Sequence, residues 1–225
     1  MSSRPTYRPV TPDRLVEELA ETVAGAGART AEARTPDGHR GRTRVAVDGA
    51  DTATDAAALA DALVDPLRVR GHAVLRVRAR DFLRPASLRH ERGRDDPDVR
   101  YEDWLDADGL RREVLTPLGP GGDGTVLPAL WDAERDRAHR LARTTLPPGG
   151  VLLLDGEFLL GRGLGLDLAV HLWLSPAALA RRLPESTHWA LPAYARYERE
   201  VSPAAVADVA VRVDRPHHPA VLEHG

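Results

Sequence analysis

Arg44-Val45-Ala46-Val47-Asp48-Gly49-Ala50-Asp51-Thr52-Ala53-Thr54-Asp55-Ala56 is the stretch that decides the fold. Its apolar start, Val45 to Asp48, reads as a buried strand. Its end opens a helix from Ala56 to Val69 with Leu59, Leu63 and Leu67 on one face. Strand, glycine, short loop and helix form the setting in which helix N-terminal N–H groups hold a phosphate. The spacing from Gly49 to Ala56 also fits G-x-x-x-x-G-K-[ST]. Three of the four defining positions nevertheless differ. The second glycine is Thr54, the lysine is Asp55 and the metal-binding hydroxyl residue is Ala56.

No other lysine can stand in, because the chain of 225 residues has none. Asn, Gln, Ile and Cys are absent as well, a set that GC-rich coding would favour. Without cysteine there is no disulfide framework and no Cys-based metal or redox site. A formal charge of −3 argues against a nucleic-acid binder that works by neutralising phosphates. No apolar run approaches the roughly 18 residues that span a bilayer, and the first residues are polar. A cytoplasmic protein without a membrane partner is the expectation.

Outward from the loop, strands and helices alternate. Thr11-Pro12 offers a cap and first-turn proline, and Leu15, Leu19 and Val23 predict a helix ending near Gly25. Residues 26–42 read as a linker. Ala73–Val77 predicts a second strand, Val151–Leu154 a continuous buried one, then Leu168–Leu174, and Val209–Val213 a last one. Helices are expected at about Ala107–Leu115, from Ser175-Pro176 to Leu183, and around Tyr194 and Tyr197. This alternation predicts an α/β fold, a three-layer α/β/α sandwich with a mainly parallel sheet. Three parts are expected: an N-terminal helix and linker over 1–42, the α/β domain over 43–215, and a tail over 216–225. Ligands in such sheets bind beyond the carboxyl ends of the strands. Asp48-Gly49, Arg80-Asp81 and Asp155-Gly156 follow strand ends and are expected in one cleft.

Several segments, taken in order, resemble the uridine kinase-like P-loop nucleoside kinases. They are Val45–Gly49, Asp81-Phe82-Leu83-Arg84-Pro85, Tyr101-Glu102-Asp103-Trp104-Leu105-Asp106, Leu115–Gly122, Leu130-Trp131-Asp132 and Val151–Gly156. The resemblance implies a P-loop NTPase fold and ancestry in ATP-dependent phosphorylation of a nucleoside hydroxyl. It also implies an acceptor site from Phe82, Tyr101, Asp103, Trp104, Asp106, Trp131 and Asp132, with aromatic faces for stacking. Its general base falls at Arg80, leaving Asp81 as the candidate one residue later. Arg181 and Arg182 match the start of the family's lid, whose further arginines are missing; Arg196 and Arg199 are alternatives. ATP and Mg²⁺ are expected only if kinase activity is retained.

At the phosphate-loop positions Gly49, Thr54, Asp55 and Ala56, a second reading stands beside the first. Thr52 or Thr54 can cap the following helix, and Asp55 complements its dipole. A carboxylate of the chain would then occupy the niche of a phosphate. The nine histidines show no paired ligand spacing, so no metal site is expected. Three functions remain open: a kinase-like protein with a degenerate loop that binds a nucleoside or nucleotide-like ligand, an active nucleoside kinase with a non-standard phosphate site, and a scaffold. A homo-oligomer is compatible with each.

Overall fold

A computed structural model describes residues 6–32, 41–215 and 217–223. The fold is mixed α/β around a seven-stranded sheet. Its strands are β1 (Thr6–Pro9), β2 (Thr43–Gly49), β3 (Val74–Arg78), β4 (Val151–Gly156), β5 (Leu168–Trp173), β6 (Val209–Arg212) and β7 (Ala220–Glu223). They lie in the order β1-β7-β6-β5-β2-β4-β3. The five strands from β6 to β3 are parallel, and β7 and β1 add an antiparallel edge.

The centre of the sheet is apolar because its strands are covered. Val45, Ala46, Val47, Leu152, Leu153 and Leu154 are fully buried, as continuous apolar runs in a parallel sheet require. In register, Val47 faces Asp155 on one side and Val170 on the other. That places Asp48 and Gly49 at the carboxyl edge, where the chain leaves the sheet.

The helix α1 (Pro12–Glu32) packs on β2 and runs past the expected end at Gly25. Alanines flank its glycines and sustain it. Gly27 has a packing role: a Cβ there would stand 3.2 Å from Thr43 Oγ1 at the start of β2. Most of the linker expected after this helix, residues 33–40, lies outside the described residues. The long helix expected from Ala56 to Val69 is two, α2 (Ala56–Ala62) and α3 (Val64–Val69). Pro66 has no N–H to return to the Ala62 carbonyl, so the ladder breaks there.

Two later helices position the site. In α4 (Pro176–Arg182), which starts where Ser175-Pro176 predicts, the Ser175 hydroxyl accepts the Ala178 N–H at 3.3 Å and caps the helix. The helix α5 (Leu191–Val201) buries Ala193, Tyr194 and Tyr197. The residues after Arg215, expected as a tail, supply β7, with Val221 beside Val211. The pairs Thr125–Val126 with Thr144–Thr145 and Trp131–Asp132 with Arg137–Ala138 form two small separate sheets. Among the described residues no helix is long and apolar enough to cross a membrane.

Candidate functional site

Asp48 is fully buried at the end of β2, and three donors converge on it. Its Oδ1 accepts the Leu159 N–H at 2.8 Å, while Oδ2 accepts from His171 Nδ1 at 2.6 Å and the Tyr197 hydroxyl at 3.0 Å. One carboxylate thereby ties the loop after β4, strand β5 and helix α5 to the end of β2. The Tyr197 hydroxyl also accepts the Leu160 N–H at 3.0 Å. Burial, and then the facing Asp48, pushes the Tyr197 phenol far above its ordinary range, so it stays a donor. A polar group buried this deeply persists only with its hydrogen bonds made.

Beside this cluster a cavity of about 350 Å³ opens between the sheet edge and helices α4 and α5. Gly49, Thr54, Phe158, His171, Leu179 and Tyr197 are among its walls. Glu157 and Glu198 also line it, and among the described residues no arginine does. Glu198 is half-exposed, with its Oε1 4.0 Å from His171 Nε2, beyond hydrogen-bond reach. Burial pushes the Glu198 acid upward.

At the phosphate-loop position the chain winds into a helical turn, Asp51–Thr54. The Ala53 and Thr54 N–H groups donate to the Ala50 carbonyl at 2.8 and 3.1 Å. Neither N–H is then free for an anion in this geometry. The Thr54 side chain folds under Gly49: a Cβ on Gly49 would stand 2.4 Å from Thr54 Oγ1 and 3.2 Å from Leu172 Cβ. Asp55 takes the left-handed conformation at φ 59° and is exposed, and Ala56 is buried. Neither Thr52 nor Thr54 caps α2; Asp55 is its cap residue, without a side-chain hydrogen bond. Arg182, expected in the lid, donates to the carbonyls of Ala53 and Val213 at 3.0 and 2.7 Å. It pins the turn to the end of β6. Arg181 donates to Ala177 O on its own helix.

The packing of Thr54 under Gly49 can be tested by mutation. Gly49→Ala is expected to destabilise the protein by about 1–3 kcal/mol through overpacking, and Thr54→Gly in the same chain to recover most of it. Urea unfolding of the two single variants and the double measures this; additive losses would mean that Thr54 is not what the new methyl meets.

Of the residues expected to share one cleft, Asp48 and Asp81 line neither of two neighbouring ones, and the other four divide between them. Arg80, Asp155 and Gly156 line a smaller cleft of about 100 Å³ with Arg100, Trp104 and Arg162, while Gly49 lines the larger cavity. Glu157 and Phe158 line both and separate them. Arg100 pairs with Glu157 at 2.8 Å and lies 4.7 Å from the centre of the Trp104 ring. Burial opposes its charge, but Glu157 and Tyr194 more than offset this and hold it above its usual range. The Asp155 acid is pushed up by burial, against Arg76 at 2.6 Å.

The other expected acceptor residues are scattered. Phe82 is fully buried in the core, and Asp106 caps the turn after it by accepting the Gly109 N–H at 2.9 Å. Asp103 lies 3.7 Å from Arg84. Tyr101 meets Phe158 edge-on at 5.4 Å, under the Arg196 guanidinium at 4.9 Å. Trp131 Nε1 donates to Asp136 at 3.0 Å, and Asp132 accepts the Glu134 and Arg135 N–H groups of the same small hairpin. Asp81 sits in a 3₁₀ turn, its acid raised by burial, and lines neither cavity. Of the expected acceptor side chains, only Trp104 lines one of the two cavities.

His171 and Tyr197 are among the residues that sequence reasoning did not single out for the site. The signal was a lone histidine inside the apolar run Leu168–Leu174, since a buried strand carries an imidazole only where a partner waits.

No family model matches the chain, and no curated protein matches it in sequence. Solved structures do match it in fold. A possible uridine kinase from Bacillus stearothermophilus superposes with a TM-score of 0.65 at 19% identity, over 87% of this chain and 96% of that one. A provisionally named fructose transport system kinase from Silicibacter sp. TM1040 gives 0.62 at 22%, over 87% and 98%. D-glycerate 3-kinase from Cryptococcus neoformans var. grubii gives 0.54 at 14%, over 84% and 80%. The fold, with its mostly parallel sheet, is therefore one that these kinases share. At these identities the likeness reaches the fold and stops there.

Proposed function

We propose that the protein is a pseudokinase: it binds a small nucleoside-like ligand at the carboxyl edge of its sheet and does not transfer phosphate from ATP. One observation carries this reading. The turn that would cradle phosphate donates its Ala53 and Thr54 N–H groups to Ala50 and places Thr54 under Gly49. ATP·Mg²⁺, which the fold class implies, does not fit these residues. Asp55 would meet the phosphates with like charge, and Ala56 offers no oxygen to a metal.

Binding is favoured over a purely structural role because the larger cavity is open rather than filled by the chain's own side chains. Its walls also favour an uncharged nucleoside over a nucleotide, since no arginine among the described residues lining it would meet a phosphate. Phe158, Tyr194 and Tyr197 offer ring surface, and ring stacking on a base contributes about 1–3 kcal/mol per base.

Calorimetric titration with ATP·Mg²⁺, with uridine absent and present, tests this. The expected result is no heat from ATP in either series and saturable heat from uridine alone. Micromolar ATP binding would overturn the pseudokinase reading. Silence from both would remove the nucleoside and leave the scaffold.

A further inference from the structure

Two polar atoms from residues lining the larger cavity have no hydrogen-bond partner, His171 Nε2 and Thr54 Oγ1. The His171 side chain is only 5% exposed, so its bare nitrogen is not compensated by bulk water. Its other nitrogen, Nδ1, is 2.6 Å from an Asp48 carboxylate oxygen. A carboxylate can only accept, so in a neutral ring Nδ1 carries the proton and Nε2 keeps a lone pair. The same logic that orients an imidazole behind a metal ligand or a catalytic base here fixes a hydrogen-bond acceptor on a residue of the cavity wall.

The rest of the wall sets the remaining requirements. Leu172, Leu174, Leu179 and Leu191, with Pro176 and Pro192, make most of it apolar. The charged side chains that line it, Glu157 and Glu198, are both carboxylic acids. An anionic ligand would face them without a cation in the lining, whereas an O–H group finds Nε2 as an acceptor.

We propose that the cavity takes an uncharged, largely apolar ring compound bearing a hydroxyl group, whose O–H donates to Nε2 of His171. The inference rests on the cavity being the ligand site. It adds the chemistry by which the ligand is chosen, and assigns His171 as the selecting residue and Asp48 as the one that positions it.

Three probes of one shape test it: 2-naphthol, 2-methoxynaphthalene and 2-naphthoate, each titrated into the full chain and followed by calorimetry. The expected order is 2-naphthol first, its methyl ether at least about tenfold weaker for lack of a donor, and no binding of the anion. Ala195→Trp, at an exposed helix position on the cavity wall, is expected to abolish binding of the naphthol and of its ether. His171→Phe is expected to erase the preference for the naphthol over the ether. If that variant fails to fold, wild-type protein with ¹⁵N-labelled histidine answers the same question through its ¹⁵N spectrum. There 2-naphthol, and not the ether, should shift the unprotonated nitrogen of one imidazole. Equal binding of naphthol and ether would overturn the role of His171 while the cavity stands as a site. Binding unaffected by Ala195→Trp, or none by any probe, would overturn both.

Discussion

Asp48→Ala is expected to lower the unfolding free energy by about 3–5 kcal/mol, a large effect for one substitution, because it strands three buried donors at once. The Leu159 N–H, the Tyr197 hydroxyl and His171 Nδ1 all end on this carboxylate, and none has water to turn to. In a chain of this length such a loss lowers the melting temperature by roughly 10 °C. Asp48→Asn separates charge from packing. It keeps one accepting oxygen but turns an amide N–H toward donors, so an intermediate loss is expected. Urea unfolding followed by far-ultraviolet circular dichroism measures both. A loss below about 1 kcal/mol for Asp48→Ala would mean that the three donors find other partners, and that the carboxylate does not organise the site.

The parallel sheet was legible in the sequence because Val45–Asp48, Val151–Leu154 and Leu168–Leu174 are long apolar runs with turn residues after them, and burial on both faces demands such runs. The edge strands Thr6–Pro9 and Ala220–Glu223 were not. Each is four residues long and partly exposed, and they pair across almost the whole chain length, which no local pattern encodes. The break at Leu63 was written in Pro66 but outweighed by the Leu59, Leu63, Leu67 spacing.

For the site, sequence showed which side chains the phosphate-loop position lacks. It could not show what the substitutes do. Thr54 reads as a cap, yet its hydroxyl lies unpaired under Gly49; Arg182 reads as a phosphate contact, yet both of its bonds go to backbone carbonyls. Contacts such as that of Arg182 with Ala53 join segments more than a hundred residues apart, 129 positions in this case. Asp48 and His171 are likewise separated by 123 positions and meet only because β2 and β5 are neighbours in register.

The triple variant Thr54→Gly, Asp55→Lys, Ala56→Ser is expected to bind ATP·Mg²⁺ where the natural chain does not. Each change removes one obstacle. Glycine at 54 vacates the space under Gly49 that Thr54 now occupies. Lysine at 55 replaces an anion with a cation at an exposed position, a swing of two charges beside a polyanion. Even with solvent screening, that swing and the restored metal ligand should tighten ATP binding by at least about tenfold. The substitution also carries a cost, because residue 55 sits at φ 59°. Lysine tolerates that conformation less readily than aspartate, so a lower melting temperature should accompany the gain, by an amount that about 1 kcal/mol produces. Asp55→Asn is the control: it removes the repulsion without supplying a cation, and little gain is expected from it alone. Calorimetry at low and high salt reads the outcome, since a gain that comes from charge must shrink as salt rises. If the triple variant binds ATP no better than the natural chain, the side chains are not the barrier. The barrier is then the turn itself, whose Ala53 and Thr54 N–H groups are already committed to Ala50, and the loop has been refolded rather than merely stripped of its charges.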